Sequence, residues 1–376
     1  MTTPSFQPPY PSSSTENHSL AYDALLIVSF GGPEGPEDVL PFLENVTRGR
    51  DIPRDRLLKV AEHYERFGGV SPLNAEIRAL LAKLVQELNV QGPHLPIYWG
   101  NRNWHPMLTD VVQQMADDGV KHALAFVTSA FGSYSGCRQY REDIARTRQE
   151  VGANAPQIDV IRRFYNHPGF IESVVDRVHA ALSKVPDDRR QKAALVFTAH
   201  SIPVAMANLG PYEAQLHEAC RLVADAVPYS NWQLAFQSRS GPPSQPWLEP
   251  NVESAVRAIA AKGDAREVVI VPIGFLHEHI EVIFDLDVET QELCEKLNLT
   301  MIRAETPGLH PRFVQMIREL IIERTSPGSP RRALGPDGPS PDGPSPLECR
   351  IGCCRSAAGD KKSSESSISP QVLTKP

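Results

Sequence analysis

The 376-residue chain contains no apolar run much longer than a strand, so nothing in it reaches the roughly 20 consecutive apolar residues that a membrane-spanning helix requires. Its first residues lack the charged and apolar regions of a signal peptide, and a soluble, cytoplasmic protein is expected. Basic residues are in the minority, 38 against 45 acidic ones, and no basic stripe interleaves with aromatics. Nucleic acid is therefore excluded as an expected partner. Neither a fibre-like composition nor a solenoid repeat is present. Cysteine is scarce, six in all, yet Cys349, Cys353 and Cys354 crowd together near the end of the chain.

Apolar residues make up 41% of the chain, sufficient for about two cores. Residues 1–21, rich in Pro, Ser and Thr, cannot bury enough apolar surface to offset ordering entropy and are expected to be disordered. From Tyr22 a βαβ rhythm begins. Strands are expected at 25–30, 95–99, 123–128, 158–162, 193–198, 233–236, 268–273 and 300–303. Helical patterns separate them, at 36–46, 54–67, from Ser71 as N-cap to about Leu88, then 106–116, 138–151, 168–182 and 310–322. That order predicts an α/β protein with two doubly wound, Rossmann-like parallel-sheet domains, 22–185 and 186–325, whose intervening cleft is the default ligand site. Residues 326–376, dominated at first by Gly, Pro, Ser and Asp, read as a flexible linker and a Cys-containing tail.

Two strand ends carry candidate chemistry. The run A-L-V-F-T-A-H-S-I-P delivers His200 where a buried strand stops, and the carboxyl ends of strands are where open α/β sheets gather their ligands. A locally hydrogen-bonded, structural histidine is the bland alternative. The run E-V-V-I-V-P-I is followed by G-F-L-H-E-H-I-E, and a helix from Ile280 onward would set Glu281, Asp285 and Glu289 on one face at i, i+4 and i+8. Such a row repels itself. It reads either as a cation path towards His200 and Glu281 or as a solvated acidic face. The cysteine trio argues for metal or iron–sulfur ligation, with Cys137 better placed as a fourth ligand than Cys220 or Cys294, which fall in helical patterns. Its C-x3-C-C spacing fits no standard zinc motif, and a disordered tail of reactive thiols is the alternative.

Several stretches together resemble the ferrochelatase family over roughly 22–324, and more narrowly its iron–sulfur-containing actinobacterial coproporphyrin branch. They are S-F-G-G-P-E-G-P-E-D-V (29–39), G-G-V-S-P-L-N (68–74), G-N-R-N-W-H-P (100–106), T-A-H-S-I-P (198–203), Q-S-R-S-G-P-P-S-Q-P-W-L-E-P (237–250) and P-I-G-F-L-H-E-H-I-E-V (272–282). The resemblance implies two chelatase-type domains facing a porphyrin cleft, with His200 and Glu281 as the catalytic, metal-site pair. Fe2+ and coproporphyrin III would be the substrates, and Asp285 and Glu289 a relay for protons or metal. It implies porphyrin contacts at Ser71, Tyr140 or the nearby Tyr134, His63 and Tyr64. Phe30 stands where much of the family has tyrosine, and keeps only a packing role because a phenyl ring has no oxygen to ligate a metal. Arg48 and Arg50 suit propionates on charge grounds. A [2Fe–2S] cluster on Cys137, Cys349, Cys353 and Cys354 is implied, as is passing contact with a downstream haem-pathway enzyme. Protoporphyrin IX or another metal as substrate, and a non-catalytic porphyrin carrier or iron–sulfur sensor, are the competing expectations.

Overall fold

The computed structural model describes residues 22–49, 52–242, 244–326, 328–335, 343–347, 349 and 352–355. The expected disordered segment 1–21, Arg50 and the last stretch from 356 lie outside them.

Among the described residues eight strands form two parallel four-stranded sheets of one topology. The first is ordered β2-β1-β3-β4, from β1 (Ala24–Ser29), β2 (Ile97–Asn101), β3 (His122–Val127) and β4 (Gln157–Val160). The second is ordered β6-β5-β7-β8, from β5 (Ala194–His200), β6 (Trp232–Gln237), β7 (Glu267–Val271) and β8 (Thr300–Arg303). Strands β1 and β7 are buried along their whole length, as expected of near-continuous apolar runs covered on both faces. In each sheet the chain steps from its first strand to one neighbour and then crosses to the other side. The point of reversal, between β1 and β3 and between β5 and β7, is where the backbone leaves a crevice at the strands' carboxyl ends.

The helices α1 (Pro36–Val46), α2 (Arg54–Glu65), α3 (Leu73–Gln91), α4 (Leu108–Asp117), α5 (Gln139–Val151) and α6 (Pro168–Leu182) belong to the first half. Helices Tyr212–Ala226, Val252–Lys262 and Pro311–Thr325 are the long ones of the second. One apolar core runs through both halves, and holds Leu25 and Ile27 of β1 together with Leu195 and Phe197 of β5. Phe126, Phe164, Phe170 and Phe313 pack with ring centroids 5.2–6.4 Å apart, welding α6 to the last helix. Truncating one such ring to alanine costs about 3–5 kcal/mol. No described helix is long and apolar enough to cross a membrane.

The eight strands and most helices fall where periodicity puts them, within a few residues. Two segments differ. The helical pattern expected from Arg138 is preceded by a π-turn, Tyr134–Arg138, and the helix expected from Ile280 is α only over Ile280–Val282 before widening into a π-helix, Ile283–Thr290. Such i→i+5 turns are frequent at functional sites, where the wider turn re-aims side chains. Apolar periodicity does not reveal them.

The described part of the Gly/Pro-rich stretch is docked. Arg162 and Glu323, almost fully buried, pair at 2.7 Å, and Arg162 also donates to the carbonyl of Arg332 at 2.8 Å. The Leu334 amide bonds Asn166 at 2.8 Å, and its side chain packs on the core. These anchors lead the chain from the last helix back to the first half, towards Cys137.

Candidate functional site

His200 ends β5, and Glu281 follows β7 in the helical segment that opens at Ile280. Both therefore stand at the switch point of the second sheet, 3.9 Å apart between Nε2 and Oε1, with side chains 35% and 51% exposed. The Ser201 carbonyl accepts from Nδ1–H of His200 at 2.5 Å, which leaves the lone pair on Nε2, facing Glu281. A lone pair and a carboxylate set side by side attract a cation or proton more than they attract each other. The Tyr212 hydroxyl donates to the His200 carbonyl at 2.9 Å and steadies the strand end.

The acidic row is real, though it winds on a π-helix. Burial raises the Asp285 carboxyl to about 6 against the pull of the Ser238 hydroxyl, and the Glu281 charge adds to the rise. Gln237 Nε2 donates to Asp285 at 3.2 Å, and Ser238 also donates to it. Ser238 adopts φ 60°, the left-handed region that a serine occupies only when its surroundings compel it. Glu289 is raised by burial and then by Asp285. The three carboxyls thus sense one another in sequence, from His200 outwards. Neither Gln237 nor Ser238 was singled out from sequence, although both open the Q-S-R-S-G-P-P stretch.

A lobe formed by α1 and α2 closes over this row. Ile280 and Phe284 share an apolar cluster with Phe42, Leu43, Leu57 and Tyr64. His63 stacks on Phe284 with centroids 3.8 Å apart, and Tyr64 is buried close enough to Glu281 that burial and that charge push its hydroxyl well above the usual range. Arg56 of α2 donates to the Ser240 carbonyl. The structure thus brings His63, Tyr64, His200, Glu281, Asp285 and Glu289 into one neighbourhood.

The remaining porphyrin candidates lie along the first sheet. Phe30, 37% exposed, follows β1 and meets the Arg102 guanidinium, which also covers the Tyr140 ring at 4.5 Å and pairs with Asp143 at 2.6 Å. Tyr140 is buried, and that burial raises its hydroxyl. Ser71 is buried as well. Its Oγ accepts from the Leu73 amide at 3.4 Å, but this is a two-residue turn and not the expected cap. The helix begins at Leu73 with Pro72 in the N-cap position and no side-chain capping bond, because proline displaces the start by one residue. Tyr134 donates to Glu142 at 3.0 Å at the start of the π-turn, apart from the His200 group. Arg48 lines a separate cavity of about 180 Å³ with Arg102, Arg146, Asp143 and Glu150.

Cys137, Cys349, Cys353 and Cys354 line a second cavity, of about 220 Å³, together with Arg138 and Arg141. Among the described residues no group of three or more His, Cys, Asp or Glu is already drawn tight enough to hold a metal ion. The thiols nevertheless meet in pairs. Cys353 and Cys354 lie 3.5 Å apart at sulfur, close to the roughly 3.7 Å edge of a tetrahedron with 2.3 Å metal–sulfur bonds. The Cys349 thiol, then the charges of Arg163 and Arg141, draw Cys137 down to about 5 despite its burial. Burial and Cys353 push Cys354 up, so the four thiols of the cavity act on one another's protons. All six cysteines are free, and Cys220 and Cys294 are fully buried packing groups.

Two doubly wound sheets with an imidazole and a row of carboxyls at one switch point define a chelatase-type α/β protein. The fold is similar to that of SirB from Bacillus subtilis, solved with Fe3+, at a TM-score of 0.50 and 15% identity, covering 79% of this chain and 95% of that one. The Ferrochelatase family model matches residues 22–325, and the chain belongs to that family, a metal-chelating enzyme of the lyase class. It is 52% identical to the Ferrochelatase of Rhodopirellula baltica over 85% of this chain and 90% of that protein. It is 50% identical to the Coproporphyrin III ferrochelatase of Nocardia farcinica over 89% of this chain and 97% of that protein.

Proposed function

We propose that the protein inserts Fe2+ into coproporphyrin III, yielding coprohaem and two protons, in a cleft between an N-terminal domain (22–185) and a C-terminal domain (186–325). The observation that carries this reading is the His200–Glu281 pair, open to solvent at a switch point and backed by a carboxyl that titrates at about 6. Near-full-length similarity to a protein named Coproporphyrin III ferrochelatase supports the choice of porphyrin.

Metal insertion must remove two pyrrole protons while the ion arrives. His200 Nε2 is the acceptor facing the substrate, and Glu281 beside it holds either the incoming ion or the positive charge that forms. A proton taken there moves to Asp285, whose raised value lets it accept and release near neutral pH, and leaves through Glu289. Tyr64 and His63 form the adjoining wall, and Phe30 and Tyr140, bridged by Arg102, form the wall on the first sheet. Ser71 and Tyr134 complete the proposed contacts, with Arg48 at the propionate edge. Cleft walls that hold the macrocycle out of plane would expose its nitrogen lone pairs.

Cys137, Cys349, Cys353 and Cys354 fit a [2Fe–2S] cluster: four thiols line one cavity, and the positive charges of Arg141 and Arg163 act on Cys137 to offset anionic charge. Bound there, such a group would supply one-electron redox chemistry, which insertion itself does not need. Unpaired thiols suit a reducing cytoplasm, where coprohaem would pass to a downstream haem-pathway enzyme.

The test is an anaerobic assay with Fe2+ and coproporphyrin III beside protoporphyrin IX, following loss of the free-porphyrin absorption. Faster metallation of coproporphyrin is expected. Equal or faster metallation of protoporphyrin would overturn the substrate, and binding of both without metallation would favour a porphyrin carrier.

A further inference from the structure

The cysteine cavity and the His200 strand end are joined by a short chain of contacts. Cys354 is buried and sits at φ 52° in a tight turn after Gly352, a left-handed conformation that costs a non-glycine residue energy unless its surroundings hold it. It packs on Gly210, where an added Cβ would lie 3.4 Å from the Cys354 sulfur and 3.5 Å from the Gly132 carbonyl. Gly132, on the loop that runs from β3 to Cys137, donates its amide to Gln215 Oε1 at 2.7 Å, and its Cα faces Pro211 so closely that a Cβ would come within 3.0 Å of that ring. The next residue, Tyr212, sets its ring edge-on to Phe131 at 6.3 Å and gives its hydroxyl to the His200 carbonyl at 2.9 Å. Arg163 anchors the same loop from beneath, through the carbonyls of Ser129 at 2.8 Å and Gly136 at 3.0 Å.

We propose that Tyr212 is a positioning residue through which the state of the four-cysteine site sets the strand end that carries His200. Ligated, Cys137 and Cys354 draw the Gly132 loop and the Gly210 turn together, and Tyr212 is clamped between Phe131 and the His200 carbonyl. Emptied, the left-handed turn at Cys354 keeps only its packing against Gly210. Gly210 and Pro211 are released, and the Tyr212 hydroxyl no longer holds His200 in one place. The glycines keep the link close: a Cβ at Gly132 would crowd the Pro211 ring at 3.0 Å, and at Gly210, where a Cβ alone would only touch the Cys354 sulfur and the Gly132 carbonyl, a branched side chain is what would push the two loops apart. The inference rests on the reading of the cysteines as a cluster site and of His200 as the catalytic base.

The test uses full-length, ¹⁵N-histidine-labelled protein whose iron and sulfide contents are measured. The imidazole correlation of His200, assigned by its loss in His200→Ala, is recorded in wild type before and after stripping the cysteines, and in Tyr212→Phe and Gly210→Val. Stripping should shift the wild-type signal and lower kcat about tenfold, within the range of ordinary couplings between sites, with KM for porphyrin unchanged. Tyr212→Phe should keep its full iron content, show the shifted signal and lowered kcat from the start, and respond no further to stripping. Gly210→Val should lose iron and shift the signal together. A His200 signal indifferent to stripping, or a Tyr212→Phe enzyme with wild-type signal and kcat, overturns the proposal. Protein without iron or sulfide at the cysteines refutes the cluster reading and the coupling with it, whereas undiminished metallation by His200→Ala refutes the catalytic reading alone.

Discussion

The two sheets share a strand order and a switch point, yet they set opposite chemistry at their carboxyl edges. At the first, Asn101 and Asn74 are fully buried and linked at 3.1 Å; Asn101 also donates to the His105 carbonyl at 3.0 Å, and Asn74 to that of Gly32 at 3.2 Å. The groups are neutral, satisfied and closed to water. At the second, an imidazole and a carboxylate stand 3.9 Å apart, partly exposed and short of partners, with a third group raised by burial behind them. One architecture thus serves as a clasp in one half and, on the function proposed above, as the reactive site in the other. What separates them is whether the polar groups are titratable and whether the fold completes their hydrogen bonds. A saturated amide network resists change; an incomplete set of lone pairs awaits an ion or a proton.

The sharpest way to break this contrast is His200→Ala. Metallation is expected to fall by about 10²–10⁴-fold, the usual worth of a general base, while porphyrin binding followed by fluorescence quenching persists. A variant that metallates normally would move the reactive site elsewhere. The mirror experiment is Asn101→Ala, which leaves the Asn74 amide oxygen without its donor. Stability in urea should drop by about 2 kcal/mol while metallation per folded molecule stays within about twofold. A large catalytic loss with intact stability would make the first edge a working site too.

Asp285→Asn comes next, with a rate lower by about tenfold at neutral pH and loss of the wild-type decline in activity below pH 6. The stability effect runs the other way. The folded carboxyl titrates at about 6, above its unfolded value, so its stabilising contribution is present only while it is protonated, and is lost as pH rises through 6. At pH 7 the ionised group is a burden, and Asp285→Asn should be more stable than wild type by on the order of 1 kcal/mol, with the gap closing below pH 4. Equal stabilities at pH 7 would refute the raised value. The smallest effect belongs to Cys220→Ala, which should cost about 1 kcal/mol in thermal or urea melts and leave iron content untouched. Cys137→Ser, by contrast, should abolish bound iron and sulfide, and a Cys220 variant that did the same would change the ligand set.

Much of this was legible in the residues. Alternating apolar runs and helical periods placed every strand, because burial on both faces leaves an unmistakable pattern, and the strand ends drew attention to His200 and Glu281. Cys137 was separable from Cys220 and Cys294 by its position beyond a strand rather than within a helix. The π-helix at Ile283–Thr290 was not legible, since an i→i+5 turn needs no special residue. Nor were Gln237 and Ser238 as partners of Asp285, nearly fifty positions away in sequence. The docked stretch around Arg332 and Leu334 was hidden for a different reason: its main chain supplies bonds that composition does not register.

The sequence by itself determined the alternation, the two parallel sheets and the identity of the chemical groups, because these follow from local periodicity and side-chain type. Only the tertiary structure decided that His200 and Glu281 face each other, that burial lifts Asp285, that Cys137 lines one cavity with the three distant thiols of the tail, and that Tyr212 bridges towards His200. Each of those depends on distance and desolvation between segments far apart in the chain, and no local pattern encodes either.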